Sequence, residues 1–254
     1  MKENLSSILN DLTSINYYYD QYISSYSFFF LHRKTCNLDQ LVDESNFHSI
    51  KHLQISNEKS LTDYFNYFAN VDELTFTKNF STRFTSIGPV VNRLIPLKQL
   101  TKLTFQCQNV SFQTLVELLY VTPNLLDLAF ESMLGYADYQ KTSDQNDIFR
   151  TVSKTNRIKK IAFNGEYRLV KAKLLVSLCP RIENLTIRIY RKDIESIILF
   201  LFEKENENIR HMNYLTLCGG GPEASDTVSY LLQSKTKLKD YSIRQTFHKL
   251  YLWW

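Results

Sequence analysis

The hydrophobic residues of this chain fall into one recurring pattern: apolar, two variable residues, apolar, one variable residue, apolar. It occurs eight times, as Ile50/Leu53/Ile55, Val71/Leu74/Phe76, Leu100/Leu103/Phe105, Leu125/Leu128/Phe130, Ile158/Ile161/Phe163, Ile182/Leu185/Ile187, Met212/Leu215/Leu217 and Leu238/Tyr241/Ile243. Successive triads are about 27 residues apart on average, which is room for one strand, one helix and two turns. The last two apolar positions of each triad differ by two, so they point to the same side of a short strand. The residue between them faces the other way. In order these are Gln54, Thr75, Thr104, Ala129, Ala162, Thr186, Thr216 and Ser242, small from the second onward. A column of small side chains suits closely spaced strands that crowd on the inside of a curve.

Between the triads the period changes from 2 to 3.6. Leu61/Tyr64/Phe65/Phe68, Ile87/Val90/Val91/Leu94, Phe112/Leu115/Val116/Leu119 and Ile194/Ile197/Ile198/Leu201 each fit one face of a helix. Ser60, Ser86, Ser111 and Asp193 precede these segments and are placed to cap them. Pro89 sits early in its helix, where a lost donor costs least. Residues 169–178, 226–233 and 144–154 also read as helices. Strand and helix alternating at this spacing require crossovers into a parallel sheet. Each unit is too small to bury its own apolar face, so units must stack, strands inside and helices outside. The fold class expected is α/β: a right-handed βα solenoid shaped like a horseshoe, with parallel strands on its concave face.

Residues 1–46 depart from the pattern. Leu5, Ile8, Leu9, Leu12 and Ile15 suggest a helix, Tyr17 to Leu31 an aromatic strand and Asn37 to Glu44 another helix. Together they read as a degenerate N-terminal cap, followed by about eight repeats over 47–254. Lys249 to Trp254 reads as a final strand whose two tryptophans seal the exposed end of the core. An exposed aromatic patch that recruits a partner is the alternative reading of the same residues.

Composition narrows the function classes. The 254 residues are 44% hydrophobic and 22% charged, as in an ordinary globular domain. The formal charge of +4 is scattered, without the patch or stripe that nucleic-acid binders gather. Four cysteines, Cys36, Cys107, Cys179 and Cys218, form no CxxC pair, which predicts reduced thiols in the cytoplasm or nucleus. No signal peptide is legible, and the longest apolar runs are too short to span a bilayer, so no membrane association is expected. Gly219-Gly220-Gly221 is followed by Pro222-Glu223-Ala224 and lacks the lysine and hydroxyl of a phosphate loop. The five histidines show no metal-ligand spacing, and no catalytic motif is present. The chain is therefore read as neither an enzyme nor a cofactor or metal binder.

Two segments carry a family resemblance. Cys179-Pro180-Arg181-Ile182-Glu183-Asn184-Leu185-Thr186-Ile187 closely matches the signature of cysteine-containing leucine-rich repeats. Thr122-Pro123-Asn124-Leu125-Leu126-Asp127-Leu128-Ala129-Phe130 repeats it with Thr in place of Cys. Over roughly residues 47–254 the chain resembles the repeat domain of F-box/LRR proteins, the eukaryotic substrate receptors of SCF ubiquitin ligases. The resemblance implies a buried Cys179 at the end of a helix, and docking to the ligase adaptor only if an F-box exists elsewhere. No F-box is recognisable in residues 1–46. The asparagine or cysteine such repeats place three residues beyond the last strand position is present once, as Asn79, while Met133, Glu166 and Tyr190 stand at the equivalent positions.

The function expected is recognition of a protein or peptide on the concave face, possible substrate recruitment for a ligase included. Three columns of side chains point there. The first is His52, Glu73, Lys102, Asp127, Lys160, Asn184, Tyr214 and Asp240; the second is the small column. The third is Ser56, Thr77, Gln106, Glu131, Asn164, Arg188, Cys218 and Arg244. Glu73, Lys102, Asp127, Glu131, Lys160, Arg188, Tyr214 and Arg244 are the candidate contact residues. The alternative is an RNA-associated scaffold, in which the mildly basic, aromatic-rich surface stacks on bases. Nucleic acid is otherwise not an expected partner.

Overall fold

The computed structural model describes residues 35–38, 47–63, 66–80, 87–107, 110–132, 147–165, 169–203, 210–236, 238 and 240–254. Thr35–Trp254 forms one compact unit. The elements expected over residues 1–31 and the remainder of the segment read as a helix to Glu44 lie outside the described residues.

The described residues form an α/β unit built on one mixed sheet of ten strands. The strands are β1 (Thr35–Asn37), β2 (His52–Ile55), β3 (Glu73–Phe76), β4 (Lys102–Phe105), β5 (Asp127–Phe130), β6 (Lys160–Phe163), β7 (Asn184–Arg188), β8 (Tyr214–Cys218), β9 (Ser242–Gln245) and β10 (Lys249–Trp253). Seven helices are described: α1 (Glu58–Asp63), α2 (Gly88–Asn92), α3 (Phe112–Val121), α4 (Asp147–Thr155), α5 (Leu169–Leu178), α6 (Ile194–Leu201) and α7 (Ala224–Lys235). From β1 to β8 every strand lies parallel to the next, in sequence order. Register is regular to the residue: Leu53, Leu74, Leu103, Leu128, Ile161, Leu185 and Leu215 are neighbours in one row. Ile55, Phe76, Phe105, Phe130, Phe163, Ile187 and Leu217 form the second. Both rows join the inward residues of the helices in a single hydrophobic core. Within it Phe76 and Phe105 stack with centroids 5.1 Å apart, and Phe130 meets Phe163 at 4.8 Å.

Two backbone devices repeat from unit to unit. The carbonyl just ahead of each strand accepts two consecutive amides of the next. Lys51 O serves Asp72 and Glu73, Asp72 O serves Thr101 and Lys102, Thr101 O serves Leu126 and Asp127, and Leu126 O serves Lys159 and Lys160. Lys159 O and Glu183 O continue the series. Beside it runs a side-chain ladder. Asn70, Gln99, Asn124 and Arg181, each four residues before the middle apolar residue of its strand, donate to His48 O, Ala69 O, Lys98 O and Asn156 O of the preceding unit. Arg157, the equivalent residue of β6, donates instead to Asn124 Oδ1. The asparagine or cysteine that such repeats place beyond the strand is missing from most units of this chain, and these side chains ahead of the strands bond backbone carbonyls from unit to unit.

Several sequence expectations need correction. The eighth triad does not continue the parallel stack. β10 inserts antiparallel between β8 and β9, so Lys249–Trp253 is the penultimate strand of the sheet and β9 its edge. A tight turn at Phe247-His248, closed by Thr246 N–H donating to Lys249 O at 2.8 Å, makes the hairpin. Asn37 belongs to β1, paired with Gln54, and not to a helix. Ser60 lies inside α1, whose first turn is capped by Asn57 Oδ1 accepting from Ser60 N–H. The helix is short, and Phe68 is buried in the connection between it and β3. Ser111 caps α3 as expected, accepting from Thr114 N–H at 3.0 Å. Asp193 precedes α6 without a side-chain cap, and Ser86 lies outside the described residues.

Asn156 is the most committed polar residue of this framework. It is buried, and its Nδ2 donates to Val152 O and Leu178 O while Oδ1 accepts from Ile158 N–H. It thereby ties the ends of α4 and α5 to the start of β6. Asn156→Ala is expected to cost roughly 1–3 kcal/mol, because it strands buried backbone groups. Asn124→Ala, on the exposed part of the ladder, should cost about 0.5–1 kcal/mol. Urea denaturation of the two variants checks the order, and a larger loss at Asn124 would contradict this account.

Candidate functional site

The residues that alternate with the two apolar rows form the opposite face of the sheet. The first row runs Thr35, His52, Glu73, Lys102, Asp127, Lys160, Asn184, Tyr214, then Trp253 and Ser242. The second runs Asn37, Gln54, Thr75, Thr104, Ala129, Ala162, Thr186, Thr216, then Tyr251 and Arg244. In the third, Thr77, Gln106, Glu131 and Asn164 each donate a backbone amide to the preceding strand, and Arg188, Cys218 and Lys249 are direct neighbours.

The hairpin changes the expected columns at one end. Arg244 belongs to the second row, opposite Tyr251, and not to the third; Ser242 belongs to the first. Asp240 precedes β9 and does not join the strand. Three residues absent from the candidate set, Lys249, Tyr251 and Trp253, share the face. Their signal was in the sequence, since Leu250 and Leu252 alternate with them in period two. Strand direction, which decides their neighbours, was not.

Electrostatics divides the face. Glu73, Lys102, Asp127 and Lys160 stand on adjacent strands about 5 Å apart, with alternating sign. Lys102 Nζ lies 3.4 Å from Glu73 Oε2, and Lys160 Nζ lies 4.0 Å from Asp127 Oδ2. Glu73 is 7% exposed, so the row neutralises itself partly out of solvent. At the N-terminal edge His52 bridges Thr35 Oγ1 and Thr75 Oγ1, at 3.3 and 2.8 Å. Glu131 is half-buried in the third row. Burial pushes its carboxyl above the usual carboxylate range, opposed by the charges of Lys78 and Arg188. Gly165 packs so closely on this strand that a Cβ would fall on the Glu131 carbonyl oxygen.

The C-terminal end has a different chemistry. Asn213, Tyr214, Arg244, Thr246, Tyr251, Trp253 and Trp254 line an open depression of about 690 Å³. The Tyr214 and Tyr251 rings are 6.4 Å apart. The two tryptophans divide the expected roles. Trp254 is half-buried with its ring edge-on to Phe202 at 4.9 Å, whereas Trp253 is 39% exposed.

Beside this end the glycine run links β8 to α7. Gly219 and Gly221 adopt left-handed conformations, with φ of 91° and 77°. Gln245 holds the loop by donating to Gly221 O and Pro222 O and accepting from Ser225 N–H. Glu223 pairs with Arg191 across it. Cys179 is fully buried where α5 ends, and burial pushes its thiol up. Cys218 faces the polar side, nearly buried, its thiol raised by burial against the opposing charges of Lys249 and Arg188. Among the described residues no group of three His, Cys, Asp or Glu side chains could hold a metal ion. Among them, too, no helix is long and apolar enough to cross a membrane.

No family model matches the chain, and no curated protein matches it.

The raised carboxyl of Glu131 fixes the sign of a pH effect. The folded state binds this proton more readily than the unfolded state, so the residue's contribution to stability is present at low pH and is lost as pH rises through the elevated value. Glu131→Gln should therefore be more stable than the parent at neutral pH, with the difference shrinking under acid. Thermal melts across the acidic-to-neutral range measure it, and a variant destabilised most at neutral pH would contradict the burial argument.

Proposed function

We propose that residues 35–254 are a leucine-rich-repeat domain, a solenoid whose polar sheet face lines the hollow side, and that this face binds a protein partner without catalysing a reaction. The observation that supports it is the row-by-row register of β1 to β8. It presents the same three positions of successive units side by side on one face, with the hydrophobic core behind the other. Such a surface offers many modest contacts spread along its length, as protein interfaces do. Its most apolar and most exposed aromatic part, at Tyr214, Tyr251 and Trp253, is the kind of patch on which binding energy concentrates.

The proposal extends to substrate recruitment for a ubiquitin ligase. Its support is the match at Cys179 to Ile187 and the buried place of Cys179 after α5. The four free cysteines are in keeping with a reducing compartment, the cytoplasm or nucleus.

The first test exploits the pairing of Asp127 with Lys160. The exchange Asp127→Lys with Lys160→Asp keeps an opposite-charge pair between β5 and β6 while inverting the charges offered to a partner; it sets a second lysine beside Lys102, so circular dichroism checks that the variant is folded. Affinity capture with the full chain, followed by quantitative mass spectrometry, should lose specific partners on this exchange. Capture should be unchanged by Tyr120→Lys, on an exposed position of α3. Partners lost equally with both variants, or with neither of them nor with Arg244→Glu, would count against recognition through the sheet. Co-purification of the ligase adaptor tests the extension separately.

A further inference from the structure

The last four strands of the sheet carry an unbalanced charge. On β7, β8, β10 and β9 the polar face presents Asn184, Thr186, Arg188; Tyr214, Thr216, Cys218; Lys249, Tyr251, Trp253; and Ser242, Arg244. These are three cations and three large aromatics; Arg188 stands against Glu131 of the third row, whereas Arg244 lies in the depression, which no carboxylate lines. The first five charged positions of the face, by contrast, alternate or are opposed, from Glu73 to Glu131. Arg244 is exposed and has no ion-pair partner among the described residues. Asp240, the acidic residue nearest to it in sequence, does not line the depression.

We propose that this depression binds an acidic, extended peptide segment of a partner protein, a carboxylate meeting Arg244 and an adjacent apolar side chain lying on Tyr214, Tyr251 and Trp253. The inference rests on the reading of the sheet as a protein-binding face, and names the part of it that dominates and the chemistry recognised. The open form of the depression suits a segment laid across strands better than an enclosed small molecule. Guanidinium–carboxylate bonds supply direction and the rings supply buried area, the usual pairing of Arg with Tyr and Trp at interface anchors. A polynucleotide would need the basic character to continue as a stripe along its backbone. Here it stops within four strands, at Glu131, Asp127 and Glu73. The site is a product of the hairpin: a parallel ninth strand would bring neither Tyr251 nor Trp253 beside Tyr214.

The two tryptophans of the chain are Trp253 and Trp254, and both line the depression, so their emission reports on it alone. Selection of a random-peptide phage library on the full chain should enrich peptides in which Asp or Glu flank Phe, Trp or Leu. The selected peptides, made synthetically, should perturb tryptophan emission saturably. Arg244→Glu should weaken them about tenfold or more and Arg244→Gln less, while the Asp127/Lys160 exchange should change affinity less than about twofold. Circular dichroism confirms that each variant is folded. Enrichment of basic or uncharged peptides, failure to enrich any, or indifference to Arg244→Glu would overturn the proposal. So would a single-stranded RNA oligonucleotide that perturbs the emission more strongly than the selected peptides. A cellular partner lost on the Asp127/Lys160 exchange but not on Arg244→Glu would leave the sheet as a binding face and remove this site from it.

Discussion

Everything in this unit depends on neighbouring strands stacking in register, so that like positions of successive units meet. The strands are four or five residues long from β2 onward, too short to be stable alone. What holds them is lateral repetition: two apolar rows buried against the helices and a carbonyl that accepts two amides of the next unit. A slip of one residue would turn Leu103 and Phe105 to the polar side and bring Lys102 and Thr104 into the core. Register is thus enforced by burial on one face, and the composition of the other face follows as a by-product. Whatever chemistry this face offers is carried by side chains that the core leaves free to vary.

That freedom is used differently along the sheet. Toward the N-terminal strands the exposed rows are internally satisfied, with His52 held between two threonines and Glu73, Lys102, Asp127 and Lys160 alternating in sign. Charges that already have partners across a strand spacing offer a third molecule little net field, and what they present is an alternating pattern that it must match. Toward β9 the rows bring Arg244 beside three rings, in a depression that no carboxylate lines. The face is therefore graded from self-contained to receptive, and the gradient arises from the identity of about a dozen residues, not from a change of backbone plan.

Most of the sheet was legible because its period is enforced by burial. The triads from Leu53 to Leu217, the small column and the helices α3, α5 and α6 each leave a repeating apolar trace. Two things were not legible. Boundaries set by single hydrogen bonds, such as Asn57 capping α1 in place of Ser60, carry almost no pattern. Strand direction carries none: Leu250 and Leu252 alternate correctly for either orientation of β10, and the turn at Phe247-His248 lacks the Asn-Gly or Asp-Gly that signals a two-residue hairpin. Of the eight candidate contact residues, seven stand in the rows expected, and Arg244 moved because β10 entered between β8 and β9 and set β9 one row out of the expected register. The ladder through Asn70, Gln99, Asn124, Arg157 and Arg181 was missed for a further reason. Its members share a position and a donor group but not a residue type.

The insertion of β10 between β8 and β9 also alters how the unit is held together in time. From β1 to β8 each strand needs only its predecessor, so order can propagate one unit after another. β9 has no such claim on β8; it is attached to the sheet through β10, and through Gln245 to the glycine loop ahead of α7. The hairpin and the glycine loop are thus tied to one another as well as to the sheet, and the aromatic depression exists only while β10 and β9 keep their places beside β8.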